Sequence, residues 1–425
     1  MAKINCLDDI INDEFLGLED LSKEDDSVDY WIDSQNYALN YICSKRFEGA
    51  YPQGKIVAFA GKSGVGKSML PLLASKDPKI DRIIILDSEG GGSGRSLAEF
   101  VGAPLNKISY KTMSTLDSYK VTIDDKGKQK IEEIKDSEIP QKLKTDSYEV
   151  HIGLIAFLKK LLYALEYTKS TEKILIIVDS LSNFKSVRKL NGGEDMGRTN
   201  KLLNDLFALD TVIKKTNATL MLTAKVYTDI NNPYNTVGII AGGESVVYNP
   251  SLLLLLSSLQ DNPEMVDSDL KAEKERRKTA LGSSFKTVRA TVKKSRFGTE
   301  SRNGYLLLDA TYGMTRNSGL FQLLYDFGVC VKNGTRYSIP GIFVNEKGED
   351  ISFYKKDFLS IFCKDEKGYI EKLQKKMDEV EEEIKRKRLN VNVNDESELP
   401  KEEKDDDEEV SNFDLLRAME ADMES

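Results

Sequence analysis

The chain has 425 residues, 40% apolar and 31% charged, with one histidine and a formal charge of −9. No apolar run approaches the roughly 18 to 20 residues that cross a bilayer, so no membrane is expected. His151 alone cannot furnish a His-based zinc site or a Ser-His-Asp triad. The charge is uneven: residues 395–425 hold fourteen acidic and three basic residues, or −11, which leaves +2 for residues 1–394. An acidic tail on a mildly basic body reads as a solvated interaction segment. The four cysteines (Cys6, Cys43, Cys330, Cys363) are scattered, without metal-ligand spacing, and read as reduced thiols. The N-terminus lacks a basic-then-apolar start, so a cytoplasmic protein is expected.

Ile4, Leu7, Ile10, Ile11, Phe15 and Leu18 recur at helical spacing, and an acidic linker follows to Asp29. Tyr30–Phe47 carries a second helical pattern. The apolar run Ile56–Ala60 then leads into Gly61–Lys62–Ser63–Gly64–Val65–Gly66–Lys67–Ser68, which fits G-x-x-x-x-G-K-[ST] without a mismatch. Met69–Ala74 can open a helix, because Pro71 is tolerated in a first turn. A phosphate loop between strand and helix aims backbone N–H groups at an anion, and the helix N-terminus adds partial positive charge. Lys67 then reaches the outer phosphates of ATP, and the Ser68 hydroxyl takes a place on Mg2+.

The strand Arg82–Asp87 ends in Ser88–Glu89 and three glycines. Glu89 is placed to polarise an attacking water. Residues 117–149 read as an insertion, with Tyr119–Ile123 and Lys130–Ile134 flanking a turn. A helix over Ile152–Tyr167 leads to the apolar strand Lys173–Ser180. Asp179 at its end is the acid expected to hold magnesium through water. Next come a polar segment, a helix over Thr199–Lys215, and strands over Ala218–Ala224, Ser251–Leu256, Val288–Lys294 and Gly304–Leu308. Unalternated apolar runs joined by helices predict a parallel, doubly wound α/β sheet. Beyond residue 316, Phe321–Phe362 mixes short elements, Lys364–Arg388 reads as a charged helix, and Asn412–Met423 as a segment that folds on a partner.

In its motifs and their order the chain resembles the RecA-type strand-exchange recombinases, most closely the phage UvsX type. The resemblance spans roughly residues 30–335. It rests on Gly61–Ser68, Leu86–Glu89, Val178–Asn183, Ala241–Gly243 and Val292–Arg296. It implies a RecA-like P-loop ATPase core over 30–316 and an N-terminal docking arm over 1–29. A small C-terminal region over 317–388 and an acidic disordered tail over 389–425 complete the expected layout. It further implies a helical filament on single-stranded DNA, pairing with double-stranded DNA, and ATP clamped between neighbouring subunits. Asp179 and Ser180 become the magnesium and sensor pair, and Lys294 and Arg296 cations delivered to the next subunit's nucleotide. The alternative for Lys293, Lys294 and Arg296 is a solvated or DNA-facing stripe.

The first DNA loop would be Lys185–Arg198, carrying Lys185, Arg188, Lys189 and Arg198. The second would be Val226–Gly243, which lacks any Lys or Arg. It offers Tyr227 or Tyr234 for stacking, Val237, Ile239 and Ile240 as wedges, and the backbone at Gly242 and Gly243. Lys225 stands where relatives place a γ-phosphate sensor, and no aromatic near Leu97 matches the family's adenine-stacking residue. The basic segment 257–286 reads as either a secondary DNA contact or a solvated helix. The tail would compete with DNA or recruit a mediator or single-strand-binding protein. The competing readings are a hexameric RecA-fold helicase and a DNA-binding scaffold with decayed ATPase.

Overall fold

The computed structural model describes residues 28–90, 94–123, 127–194, 197–228, 238–259, 286–309 and 313–395. The predicted helix over Ile4–Leu18, most of the second loop, the basic stretch up to Phe285 and the acidic tail beyond Asp395 lie outside them; residues 389–395, expected as the start of a disordered tail, instead continue the charged helix, which runs over Glu366–Asp395. The chain divides into a unit ending at Gln374 and a second beginning at Lys375.

In chain order, β1 (Trp31–Ile32) pairs antiparallel with β2 (Tyr51–Pro52). The next strands are β3 (Ile56–Gly61), β4 (Arg82–Asp87) and β5 (Ile108–Thr112). The insertion forms an antiparallel sheet of β6 (Tyr119–Ile123), β7 (Gln129–Glu133) and β8 (Tyr148–His151), with β6 central. The core continues with β9 (Ile174–Asp179), β10 (Ala218–Tyr227), β11 (Ile239–Ile240) and β12 (Leu252–Ser258). Then come β13 (Lys286–Ser295), β14 (Asn303–Asp309) and β15 (Gly313–Met314). A short hairpin, β16 (Val331–Asn333) and β17 (Arg336–Ser338), follows.

The fold is α/β, built on a ten-stranded sheet in the order β15-β14-β13-β12-β3-β10-β9-β4-β5, with β11 paired to β10. β12, β3, β10, β9, β4 and β5 all run parallel, and β13, β14 and β15 extend the sheet antiparallel. Both faces are covered, which explains the unalternated apolar strands. Ile56, Ala58, Ile176, Val178, Leu220 and Leu222 share a buried cluster with Leu158, Leu162, Leu206 and Ile213. Residues of opposite parity face the other side, where Phe59 meets Tyr51 edge-on at 5.3 Å.

Within the core, other elements also differ from expectation. The helix predicted from Tyr30 is a short strand, β1, followed by a helix at Tyr37–Ser44. Asn36 starts it by accepting the Leu39 N–H, and Lys45 in the left-handed region ends it. The helix over Thr199–Lys215 is two pieces, Arg198–Phe207 and Asp210–Ile213. A tight turn between them has Leu209 N–H donating to Leu206 O at 3.1 Å. Edge strand β5 was not expected, because its Ser109, Tyr110 and Lys111 are exposed and leave no apolar run.

Candidate nucleotide cleft

The register of the sheet gathers the predicted residues. Lys225 pairs with Gly61, and Asp87 with Asp179, so the carboxyl ends of β3, β10, β9 and β4 finish in one layer. Ligands of open α/β sheets bind in that layer. The phosphate loop folds there by turning left-handed at Gly64 (φ +73°) and Gly66 (φ +88°). A side chain at Gly66 would also strike Leu308 at 2.9 Å. Val65 is buried and pins the loop, while Lys62, Ser63 and Gly64 stay exposed at its tip.

A cleft of about 460 Å³ opens above this layer. That is a volume typical of small-molecule sites. The loop residues Ser63, Gly64, Gly66, Lys67 and Ser68 line one part, and Glu89, Asp179, Ser180 and Lys225 another. Lys67 is 8% exposed, and its Nζ donates to Lys62 O at 2.6 Å. Burial pulls its ammonium below the ordinary lysine range, while Asp179 and Glu89 oppose that shift and Lys225 adds to it. An anion on the loop would relieve this cost. Ser68 precedes the six-residue helix Met69–Ala74 and makes no cap hydrogen bond to it.

Glu89 is held from both sides. Its Oε1 accepts Ser180 Oγ at 3.2 Å and Lys225 Nζ at 2.9 Å. Lys225 also donates through Nζ to Asn183 Oδ1 at 3.2 Å and through its N–H to Ser182 Oγ at 2.7 Å. Asp179 Oδ1 accepts from the Thr223 hydroxyl. Ser88 ties the two strand ends together, because its Oγ donates to Ser180 O at 2.7 Å and accepts Ser180 N–H at 3.0 Å. Beneath Glu89, the fully buried Asp87 accepts the N–H groups of Glu89 and Gly90 at 2.7 and 3.0 Å through Oδ1. Its Oδ2 accepts the Tyr110 hydroxyl at 2.6 Å. Burial first, and then the Asp87 bond, raise the Tyr110 phenol above its ordinary range, so it remains a donor.

Two further residues reach the cleft: Phe100, which no motif marks, and Lys286, expected in a DNA contact or solvated helix but found on the strand β13. Phe100, 40% exposed on the helix Arg95–Val101, joins Leu97, Met69 and Leu308 in an apolar lining suited to a base. It lies three positions beyond Leu97, where no aromatic was recognised. Lys286 begins β13 and places Nζ 3.0 Å from Gly64 O.

The other predicted residues lie elsewhere. Lys185, Arg188 and Lys189 are exposed after β9, the last two on the turn of helix Val187–Leu190. Arg198 is not displayed with them: it pairs with Asp117 at 3.3 Å and with Glu133. Tyr227 and Ile239 are cross-strand partners on β10 and β11, 53% and 48% exposed, while Ile240 is buried. Gly242 sits at φ +92°, where a side chain would strike Val246 at 2.5 Å; Gly243 at φ +63° starts the helix Glu244–Tyr248.

Lys294 and Arg296 fall at the far end of β13. Lys294 stands eight positions after Lys286, or about 26 Å of extended strand. There Lys294 Nζ donates to Tyr248 O, and burial, with Arg296 beside it, lowers its ammonium. One chain therefore does not bring these cations to its own cleft.

The donor set fits magnesium, which keeps several waters and takes one or two protein oxygens beside substrate phosphates. Ser68 and Asp179 supply such oxygens on the cleft wall. Among the described residues no group of three or more His, Cys, Asp or Glu could hold a metal by itself. No described helix is long and apolar enough to cross a membrane. Compared with known proteins, the chain matches no family model, and no curated protein matches it.

Proposed function

We propose that the chain is an ATP-dependent, single-strand-DNA-stimulated recombinase of the RecA type, closest to the phage UvsX type. It binds ATP with Mg2+ in the cleft, assembles head to tail into a helical filament, and exchanges homologous strands. The observation that carries this reading is the convergence of Lys67, Asp179 and Glu89 on one cleft at the carboxyl ends of neighbouring parallel strands. Lys67 binds the outer phosphates, and Ser68 and Asp179 hold the metal, which screens phosphate charge when bound. Glu89 polarises a water for in-line attack at the γ-phosphorus, with Asp87 and Ser180 fixing its position.

The distance from cleft to Lys294 and Arg296 supports their delivery by a neighbouring subunit. A heterologous contact that does not close generates a helix of subunits. Lys225, bonded to Glu89, joins the cleft to β10, which continues into the exposed Tyr227–Ile239 pair. That path gives DNA at the second loop a route to the water-polarising carboxylate.

The test measures ATP hydrolysis with and without single-stranded DNA, and images the same mixture by negative stain. Stimulated hydrolysis on filaments is expected. Closed rings would favour the helicase, and DNA binding without hydrolysis would favour a scaffold.

A further inference from the structure

The inserted sheet β6–β8 takes no part in the cleft, yet it grips the basic segment after β9 at several points. It leaves the core at Asp117–Ser118 and returns at Gly153, whose N–H donates to Ser118 Oγ at 3.0 Å. At this root Asp117 is 9% exposed. Its Oδ1 accepts Val187 N–H at 2.8 Å, and its Oδ2 accepts Arg198 Nη2 at 3.3 Å. One carboxylate thus holds both ends of the stretch that carries Arg188 and Lys189. Glu133 on β7 takes the same Arg198 nitrogen. Asn191 Nδ2 donates to Ile131 O at 3.0 Å, and Leu116 N–H donates to Lys185 O at 3.0 Å.

We infer that the insertion is a brace that fixes the segment Lys185–Glu194 in the shape in which Lys185, Arg188 and Lys189 meet a phosphate backbone. Arg198 is a positioning residue of that brace and not itself a DNA contact. This rests on reading the chain as a protein stimulated by single-stranded DNA. The chemistry favours it: Arg198 Nη2 is shared between the Asp117 and Glu133 carboxylates, and Nε is buried, so this edge of the guanidinium faces the insertion. Pulling it toward DNA would leave a buried carboxylate short of a partner.

The two roles for Arg198 predict opposite signs for Glu133→Ala, a change on a half-exposed side chain away from the cleft. With a brace, the affinity for single-stranded DNA falls about fivefold although a negative charge has been removed. The DNA concentration for half-maximal ATPase stimulation rises equally, and DNA-free hydrolysis is unchanged. With a direct contact, freeing Arg198 tightens binding. Tighter or unchanged binding overturns the inference. Arg198→Ala separates the roles again: a brace leaves the salt slope of binding unchanged, whereas a lost phosphate contact reduces it by about 0.7.

Hydrogen exchange without DNA gives an independent reading. The amides of residues 186–194 exchange faster in Glu133→Ala than in the unaltered chain, and equal rates overturn the brace. If the unaltered chain binds no single-stranded DNA, the functional reading fails, and exchange still decides whether the insertion holds the segment.

Discussion

The two ends of the central sheet are furnished differently. At the carboxyl ends of the parallel strands, Lys67, Glu89, Asp179, Ser180 and Lys225 converge, and they are bonded to one another, to the Thr223 hydroxyl or to backbone. At the opposite end, the antiparallel strand β13 carries Lys294 and Arg296 toward the start of β12, where Arg296 N–H donates to Ser251 O at 3.0 Å. Under the proposed function the first end binds phosphate and polarises water, and its Lys67 and Lys225 ammonium groups are already bonded. The second end holds Lys294 about 26 Å of extended strand beyond Lys286, which lies on the cleft. Under that same proposal, each is half of a phosphoryl-transfer site. The antiparallel course of β13 is what divides them, because the strand starts beside the phosphate loop with Lys286 and finishes at the opposite end of the same sheet.

Damage at the cleft end is the largest way to break this comparison. Glu89→Gln keeps the shape and the Ser180 contact but removes the base. Hydrolysis is expected to fall about 10²- to 10⁴-fold while ATP affinity holds, measured by turnover and by equilibrium binding. A variant as fast as the unaltered chain would remove Glu89 from the mechanism.

Damage at the far end should look different. The double variant Lys294→Ala/Arg296→Ala is expected to lose about 10²-fold in DNA-stimulated hydrolysis, with nucleotide affinity of the isolated chain unchanged. Mixing it with Glu89→Gln should restore turnover, since each chain then supplies the half that the other lacks. A mixture as inactive as its components would mean that the two ends never meet across subunits, and Lys294 and Arg296 would revert to a solvated stripe.

The cleft end was the more legible of the two in the sequence. β3, β4 and β9 are apolar runs ending in Gly61, Asp87 and Asp179, so their residues announce both the strand and its functional tip. Nothing local marks Phe100 as a cleft residue, and Lys286 reads only as part of a basic segment; they join the cleft through packing of a helix after Gly94 and a strand over 200 residues beyond the loop. Arg198 was legible as a basic residue in a basic segment. Its carboxylate partners stand 81 and 65 residues earlier, in an insertion whose position only the fold supplies. The charge of a side chain is thus readable where its commitment is not.

Phe100→Ala sharpens the comparison by separating base from phosphate within the cleft. Loss of aromatic contact, worth about 1 kcal/mol, is expected to weaken ATP binding about fivefold. Binding of inorganic tripolyphosphate should not change, because the loop and Lys67 are untouched. Equal losses for both ligands would mean that Phe100 supports the loop and not a base.

The smallest expected effect lies beneath Glu89. Tyr110→Phe removes the donor to Asp87 Oδ2 and leaves Asp87 Oδ1 on the Glu89 and Gly90 amides. A single hydrogen bond of about 1 kcal/mol predicts a turnover about fivefold lower, with ATP affinity unchanged. The pH dependence tells positioning from proton transfer. Because burial and Asp87 raise the Tyr110 phenol, it stays protonated below its ordinary value near 10. The ratio of unaltered to variant turnover should therefore be flat from about pH 6 to 9. A ratio that closes within that range would mean that the phenol ionises there, and the donor that steadies Asp87 would have to be another group.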